Sequence, residues 1–277
     1  MLSNSPDLPA APPVIFVVFG YRNVPLLSKL LKFLDHSNSI IYIHWDSKSD
    51  VELGLPHLEK ARVIKVRPEV NISWGGNGVI KVQRQILQEI HHEAYSHVLF
   101  LTEDCMPIKR YEDIVTDLRG LNFFSLEKAQ QVSCGNISLV NFLPKNALRT
   151  RSMLASFHFL ISRIMPGFKF KGNWYRGRGW LCLSKKHVQL LNERKYFLTP
   201  RELFWLENFS FLSEEYFLQT ALFRGVPHEI IPRRLVFANY SSANPNIITK
   251  QELKEALETG SLFVRKASCE SWKAVNW

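Results

Sequence analysis

VIFVVFG (residues 14–20) is an unbroken apolar run rich in β-branched residues, and it leads into VPLLSKLLKFLDH (24–36), where apolar residues return at helical spacing. A short run with no polar alternation fits a strand covered on both faces. The same rhythm repeats downstream. SIIYIHWD (39–46) and ARVIKV (61–66) read as further strands, NGVIKVQRQILQEIHHEA (77–94) as a helix opened by glycine, and HVLFLTEDCMP (97–107) as a strand that ends abruptly in charge. Strand, helix, strand in this order predicts an α/β fold with a mainly parallel central sheet flanked by helices. Ligands of such sheets sit off the carboxyl ends of the strands, which groups Gly20–Asn23, His44–Asp46 and Thr102–Asp104 around one crevice.

The remainder fits one domain. Residues 1–12 read as a proline-rich leader, about 13–122 as a half that carries the strand-helix rhythm, and about 123–277 as a half in which that rhythm breaks. The longest apolar run, VIFVVF, is far too short to cross a bilayer, and the N-terminus lacks the order of a secretory signal, so a cytoplasmic protein is expected. Cys105, Cys134, Cys182 and Cys269 show no C-x-x-C spacing and are expected to be reduced core thiols. The sequons at Asn136, Asn208 and Asn239 are then chance matches. His91, His92 and His97 do not make a metal site, because adjacent helical histidines diverge and no third ligand is suitably spaced.

The net charge is +10, and no Asp or Glu occurs between Lys128 and Asn192. Such a block attracts an anionic partner: nucleic acid, an acidic membrane face or a phosphorylated substrate. Charge alone does not choose among them. SMLASFHFLISRIMPGF (152–168), inside the block, reads either as a buried helix or as an interfacial helix giving peripheral contact with anionic lipid. A non-catalytic nucleic-acid-binding module is a competing reading, but aromatic residues are not interleaved with the basic ones as a stacking platform needs.

SEEYFLQTALF (213–223) places two carboxylates before a helix-competent run. They read either as a dipole-favoured helix start behind a Ser213 cap or as the seat of a catalytic base.

Seven blocks, in order, resemble the metal-independent glycosyltransferases that include core-2/I-branching β-1,6-N-acetylglucosaminyltransferases and peptide O-xylosyltransferases. They are the opening strand with YRNVPLLSKLLKFL, IYIHWDSKSD, ISWGGNGVIKVQRQIL, HVLFLTEDCMPIKRYEDI, GRGWLCLSKKHVQLL, SEEYFLQTAL and LFVRK. The resemblance implies a GT-A-like fold and an inverting transfer, most plausibly of GlcNAc from UDP-GlcNAc to a glycan or lipid-linked glycan hydroxyl. UDP-xylose or another nucleotide sugar is the alternative donor. Glu215 matches the family's base. Lys266, with Arg265 and Arg234 (or its neighbour Arg233), stands where cations hold the departing diphosphate. No D-x-D sequence is present, so neither a divalent metal nor another cofactor is expected. Asp46, Phe19, Gly20 and Arg22 match the nucleotide side, and Gly75 and Gly76 the glycine turn. Glu103, Asp104, Arg178 and Trp180 fall on the acceptor side. Gly179 departs from the polar residue usual there, and with Arg178 beside it an anionic acceptor is expected. Without a signal or anchor, the resemblance points to bacterial surface polysaccharide or lipooligosaccharide synthesis at the inner face of the plasma membrane.

Overall fold

In the computed structural model, strand β1 (Val14–Gly20) lies between β2 (Ser39–Trp45) and β4 (His97–Thr102), parallel to both, with Phe19 opposite His44 on one side and Thr102 on the other. The structure describes residues 11–72, 77–120, 124–125, 130–132, 173–208, 213–231, 233–241 and 245–273. Gly75, Gly76, Cys134, Asn136, the 152–168 run and Lys145 to Lys171 of the basic block lie outside them.

Among the described residues the main sheet has the order β10-β6-β9-β4-β1-β2-β3, where β3 is Arg62–Lys65, β6 Phe124–Ser125, β9 Cys182–Ser184 and β10 Ile230–Ile231. It is mainly parallel, as the strand-helix rhythm predicts. Strand β9 is the exception and runs antiparallel to both β4 and β6. The run VIFVVF is apolar throughout because both faces are covered. Ile15, Val17, Val98 and Phe100 pack under helices α2 (Gly78–Glu89), α4 (Lys185–Glu193) and α6 (Phe217–Gly225). Phe16, Val18, Leu99 and Leu101 pack under α1 (Val24–Phe33) and α3 (Tyr111–Arg119). Truncating a fully buried ring such as Phe16 would cost about 3–5 kcal/mol.

Helix α1 starts where it does because Asn23 Oδ1 accepts the Leu26 amide at 3.2 Å, and Pro25 falls in the first turn, where its missing N–H is not needed. Its Leu26, Leu27, Leu30 and Leu31 are buried, the stripe expected of a helix lying on a sheet.

A second sheet fixes the C-terminal part. Strand β12 (Phe263–Arg265) pairs in parallel with β11 (Val236–Ala238) and antiparallel with β5 (Met106–Pro107). This pairing brings the LFVRK stretch to the polar end of β4, although about 160 residues separate them. Helix α7 (Lys250–Glu258) opens with a capping box between Thr249 and Glu252.

Cys105 and Cys182 are buried, and burial pushes the Cys105 thiol up to about 11. Cys269 corrects the expectation of four core thiols: it opens the short surface helix α8 (Cys269–Lys273) and is exposed. The rings of His91 and His92 meet edge to face at 4.7 Å. Among the described residues no three His, Cys, Asp or Glu side chains converge, and no helix is long and apolar enough to cross a membrane.

Candidate active site

At the end of β1, Gly20 has no room for a side chain. A Cβ there would come within 2.6 and 2.7 Å of the Trp45 ring and 3.1 Å of Glu103 Oε2. The chain then turns into α1, and Glu103, just past β4, fixes that turn. Its carboxylate accepts the amides of Tyr21 at 2.7 Å, Arg22 at 3.3 Å and Asn23 at 3.1 Å. The residue matched to the acceptor side is therefore an anchor for the β1–α1 loop.

Asp46, buried beyond β2, donates its amide to the Gly20 carbonyl at 3.0 Å. Its Oδ1 accepts the Lys48 amide at 2.9 Å, an Asx turn, while Oδ2 lies 3.4 Å from Lys48 Nζ. Lys48 Nζ also donates to the Ile72 carbonyl. Phe19 stacks on Phe100 and meets His44 edge-on. Burial lowers the His44 pKa, keeping the imidazole neutral, and Nε2 pairs with the Val70 carbonyl. Arg22 lies over the Tyr21 ring at 4.6 Å.

Asp104 joins this rim to the second sheet. Its Oδ1 accepts from Thr102 Oγ1 at 2.6 Å and from Arg265 Nε at 2.8 Å, and its carbonyl accepts the Ala267 amide. Arg265 also lies 4.9 Å over the Trp180 ring. Burial works against the Arg265 charge, but the Asp104 carboxylate more than offsets it and the pKa stays raised. Neighbouring Lys266 is exposed, and its ammonium makes no ion pair or hydrogen bond to another described residue. Arg233 is committed to Asp117 at 3.0 Å and to the Gly260 carbonyl at 2.7 Å, whereas Arg234 lies over the Phe237 ring at 5.3 Å.

Glu214 and Glu215 lie in a 3-10 turn, Ser213–Glu215, ahead of α6. The buried Ser213 hydroxyl has no hydrogen-bond partner among the described residues, so it does not cap the α6 amides. The two carboxylates differ. Glu215 Oε2 accepts from Arg176 Nε at 2.6 Å, at the end of β8 (Trp174–Arg176). Glu214 Oε2 is enclosed without a hydrogen-bond partner among the described residues, and burial, with the Glu215 charge adding to it, pushes that carboxyl up to about 7. The turn is tied to the segment after β8. The Gly177 amide donates to the Glu215 carbonyl at 2.9 Å, and Gln219 Nε2 donates to the Arg178 carbonyl at 2.7 Å.

Arg178 lies 4.0 Å over the ring of Tyr240, and Tyr240 in turn bears on the Arg265 guanidinium. Tyr240 lies two residues past β11, which pairs with β12, and β12 ends at Arg265, the partner of Asp104 at the strand ends. Chemically, this assembly offers a carboxylate able to take a proton, an aromatic face at Trp180 and an ammonium open to an anion. Sequence reading missed Arg176, Gln219 and Tyr240. The only signal for Arg176 was its place among the cations of WYRGRGW. A separate cavity of about 530 Å³, lined by Arg84, Asn192, Tyr196 and Leu203 among others, involves none of the candidate residues.

A mainly parallel sheet flanked by helices carries carboxylates at its strand ends, and a small second sheet brings Arg265 to one of them, Asp104. The chain belongs to the Core-2/I-branching enzyme family, whose model matches residues 14–257. Among solved structures it is similar to the apo structure of the bifunctional glycosyltransferase WbbM, with 13% identity, a TM-score of 0.44, 94% of this chain covered and 46% of that one. The chain thus spans less than half the length of that protein. It is also similar to the apo form of mouse xyloside xylosyltransferase 1, with 9% identity, a TM-score of 0.40, and 93% and 99% of the two chains covered. No curated protein sequence matches it.

Proposed function

We propose that the protein is an inverting, metal-independent glycosyltransferase that moves a sugar, GlcNAc as the first candidate, from a UDP-sugar to a glycan hydroxyl. Glu215 takes the proton of the acceptor hydroxyl as its oxygen bonds to the anomeric carbon of the donor. The bond from that carbon to the diphosphate breaks, and its electron pair leaves with UDP. Lys266 meets the charge that develops on the diphosphate, with Arg234 as a further candidate, and Arg265, held by Asp104 and Trp180, supplies a fixed positive field beside it. Asp46, Phe19, Gly20 and Arg22 form the nucleotide side, and Trp180 offers its ring to a pyranose.

The observation that carries this reading is the tie of the Glu215 turn to the segment after β8, whose Arg178 lies over Tyr240 just past β11, the strand paired with the one that ends at Arg265 and the exposed Lys266. The acceptor belongs to surface polysaccharide or lipooligosaccharide, handled by peripheral contact at a membrane. A panel of UDP-GlcNAc, UDP-xylose and other nucleotide sugars, assayed for UDP release with and without EDTA, tests it. UDP release from one donor, undiminished by EDTA, is the expected result. Strict manganese dependence would remove the cations from the metal's role, and no release from any donor would remove the activity.

A further inference from the structure

The carboxylate proposed as the base is already engaged. Arg176 Nε holds Glu215 Oε2 at 2.6 Å, with the Arg176 side chain 46% exposed and that of Glu215 21% exposed. Burial works against the Arg176 charge, yet the bond to Glu215 and the nearby Tyr216 and Glu214 more than offset it and keep the pKa raised. The segment behind the pair is firmly tied. Gly177 donates to the Glu215 carbonyl, Gln219 donates to the Arg178 carbonyl, and Thr220 Oγ1 accepts the Tyr175 amide at 3.1 Å. Arg176 is therefore aimed at Glu215 by the backbone of β8.

A guanidinium so placed competes with the acceptor hydroxyl for the same carboxylate. With a neutral acceptor, releasing Glu215 separates an ion pair and leaves Arg176 without a partner. With an acceptor that carries its own anion, one charge-assisted bond is exchanged for another. The surroundings suit such a guest. Arg178 lies two residues further on, and among the described residues no atom beyond the two chain neighbours lies within 4 Å of a Cβ built on Gly179, next to Trp180.

We infer that Arg176 is a specificity residue: it holds Glu215 until a carboxylate or phosphate on the acceptor, next to the accepting hydroxyl, takes over its guanidinium. The inference rests on Glu215 acting as the base and adds the chemical class of the acceptor. The transfer step stays as written above, with the acceptor proton passing to Glu215 once Arg176 has changed partner.

The test compares wild type, Arg176→Gln and Arg176→Lys, using the donor that the panel identifies. The acceptors are a neutral methyl hexoside, the matching methyl hexuronide and the matching hexose 1-phosphate. Wild type is expected to favour at least one anionic acceptor by about tenfold or more in kcat/KM, and which one it favours separates carboxylate from phosphate. Arg176→Gln should lose about threefold to tenfold on that acceptor and gain on the neutral one, while Arg176→Lys keeps part of the preference. Opposite movements on two acceptors are not what a damaged fold produces. Equal use of all three acceptors by wild type, or a ratio unchanged in Arg176→Gln, overturns the inference. If Glu215→Gln abolishes transfer while that ratio holds, the inference alone fails. If wild type turns over no nucleotide sugar, the proposed function fails with it.

Discussion

The strand-end rim and the turn before α6 are both rich in carboxylates, yet they treat them in opposite ways. At the rim, Glu103 accepts three backbone amides, Asp46 closes an Asx turn, and Asp104 receives Thr102 and Arg265. Every one of these groups is satisfied inside the protein. At the turn and the helix behind it, the Ser213 hydroxyl, Glu214 Oε2 and Gln219 Oε1 are buried without a hydrogen-bond partner among the described residues. Enclosed polar atoms of that kind cost stability, and proteins concentrate such costs where they act. Under the proposed function, substitutions at the rim should be read in stability and substitution of Glu215 in turnover.

The largest effect should come from Glu215→Gln. Turnover should fall by about two to four orders of magnitude while UDP still raises the melting temperature. A variant that turns over as fast as wild type would remove Glu215 from the chemistry. Lys266→Met should weaken UDP binding by about tenfold, measured by calorimetry, with little change in melting temperature, because its exposed ammonium makes no ion pair or hydrogen bond to another described residue.

At the rim the readout reverses. Gly20→Ala forces a methyl group against the enclosed Trp45 ring and should cost about 1–3 kcal/mol by chemical denaturation. Glu103→Gln should also destabilise, by about 1 kcal/mol, since a neutral amide is a weaker acceptor for three amides. Stability unchanged in both would show that the rim is not built as described.

At Glu214 the expected effect has a sign set by pH. Because burial raises the Glu214 carboxyl to about 7, above its ordinary value of 4.5, the folded state holds this proton more tightly than the unfolded chain. Stability is therefore greatest below the unfolded value and declines as pH rises from about 4.5 to 7. Glu214→Gln should raise the melting temperature at pH 8 by an amount equivalent to about 1–3 kcal/mol, and change it little at pH 4. An equal shift at both values would mean that the enclosed carboxyl is not the cause.

Much of the fold was legible because it is written locally. Runs such as VIFVVF and HVLFL announce strands covered on both faces, and Asn23 followed by Pro25 marks a helix start. The crevice at the strand ends follows from the parallel order. The antiparallel direction of β9 was not legible, because strand direction depends on how the chain returns and leaves no mark in three residues. The candidate site residues came largely through resemblance, and the contacts around them were not legible. Glu103 meets amides about 80 residues away and Arg176 meets a carboxylate 39 residues away, distances at which sequence pattern carries no signal.

Three adjacent pairs show where the division falls. The sequence by itself set like charges side by side at Glu214 and Glu215, Arg233 and Arg234, and Arg265 and Lys266, and it put each pair near a strand end or a turn. The tertiary structure alone decided that Glu214 is enclosed while Glu215 meets Arg176, that Arg233 is bound to Asp117, and that Arg265 faces Asp104 while Lys266 faces solvent. Neighbours in a chain share their local signals, but their side chains leave the backbone in different directions, and the partner waiting in each direction comes from a distant part of the sequence.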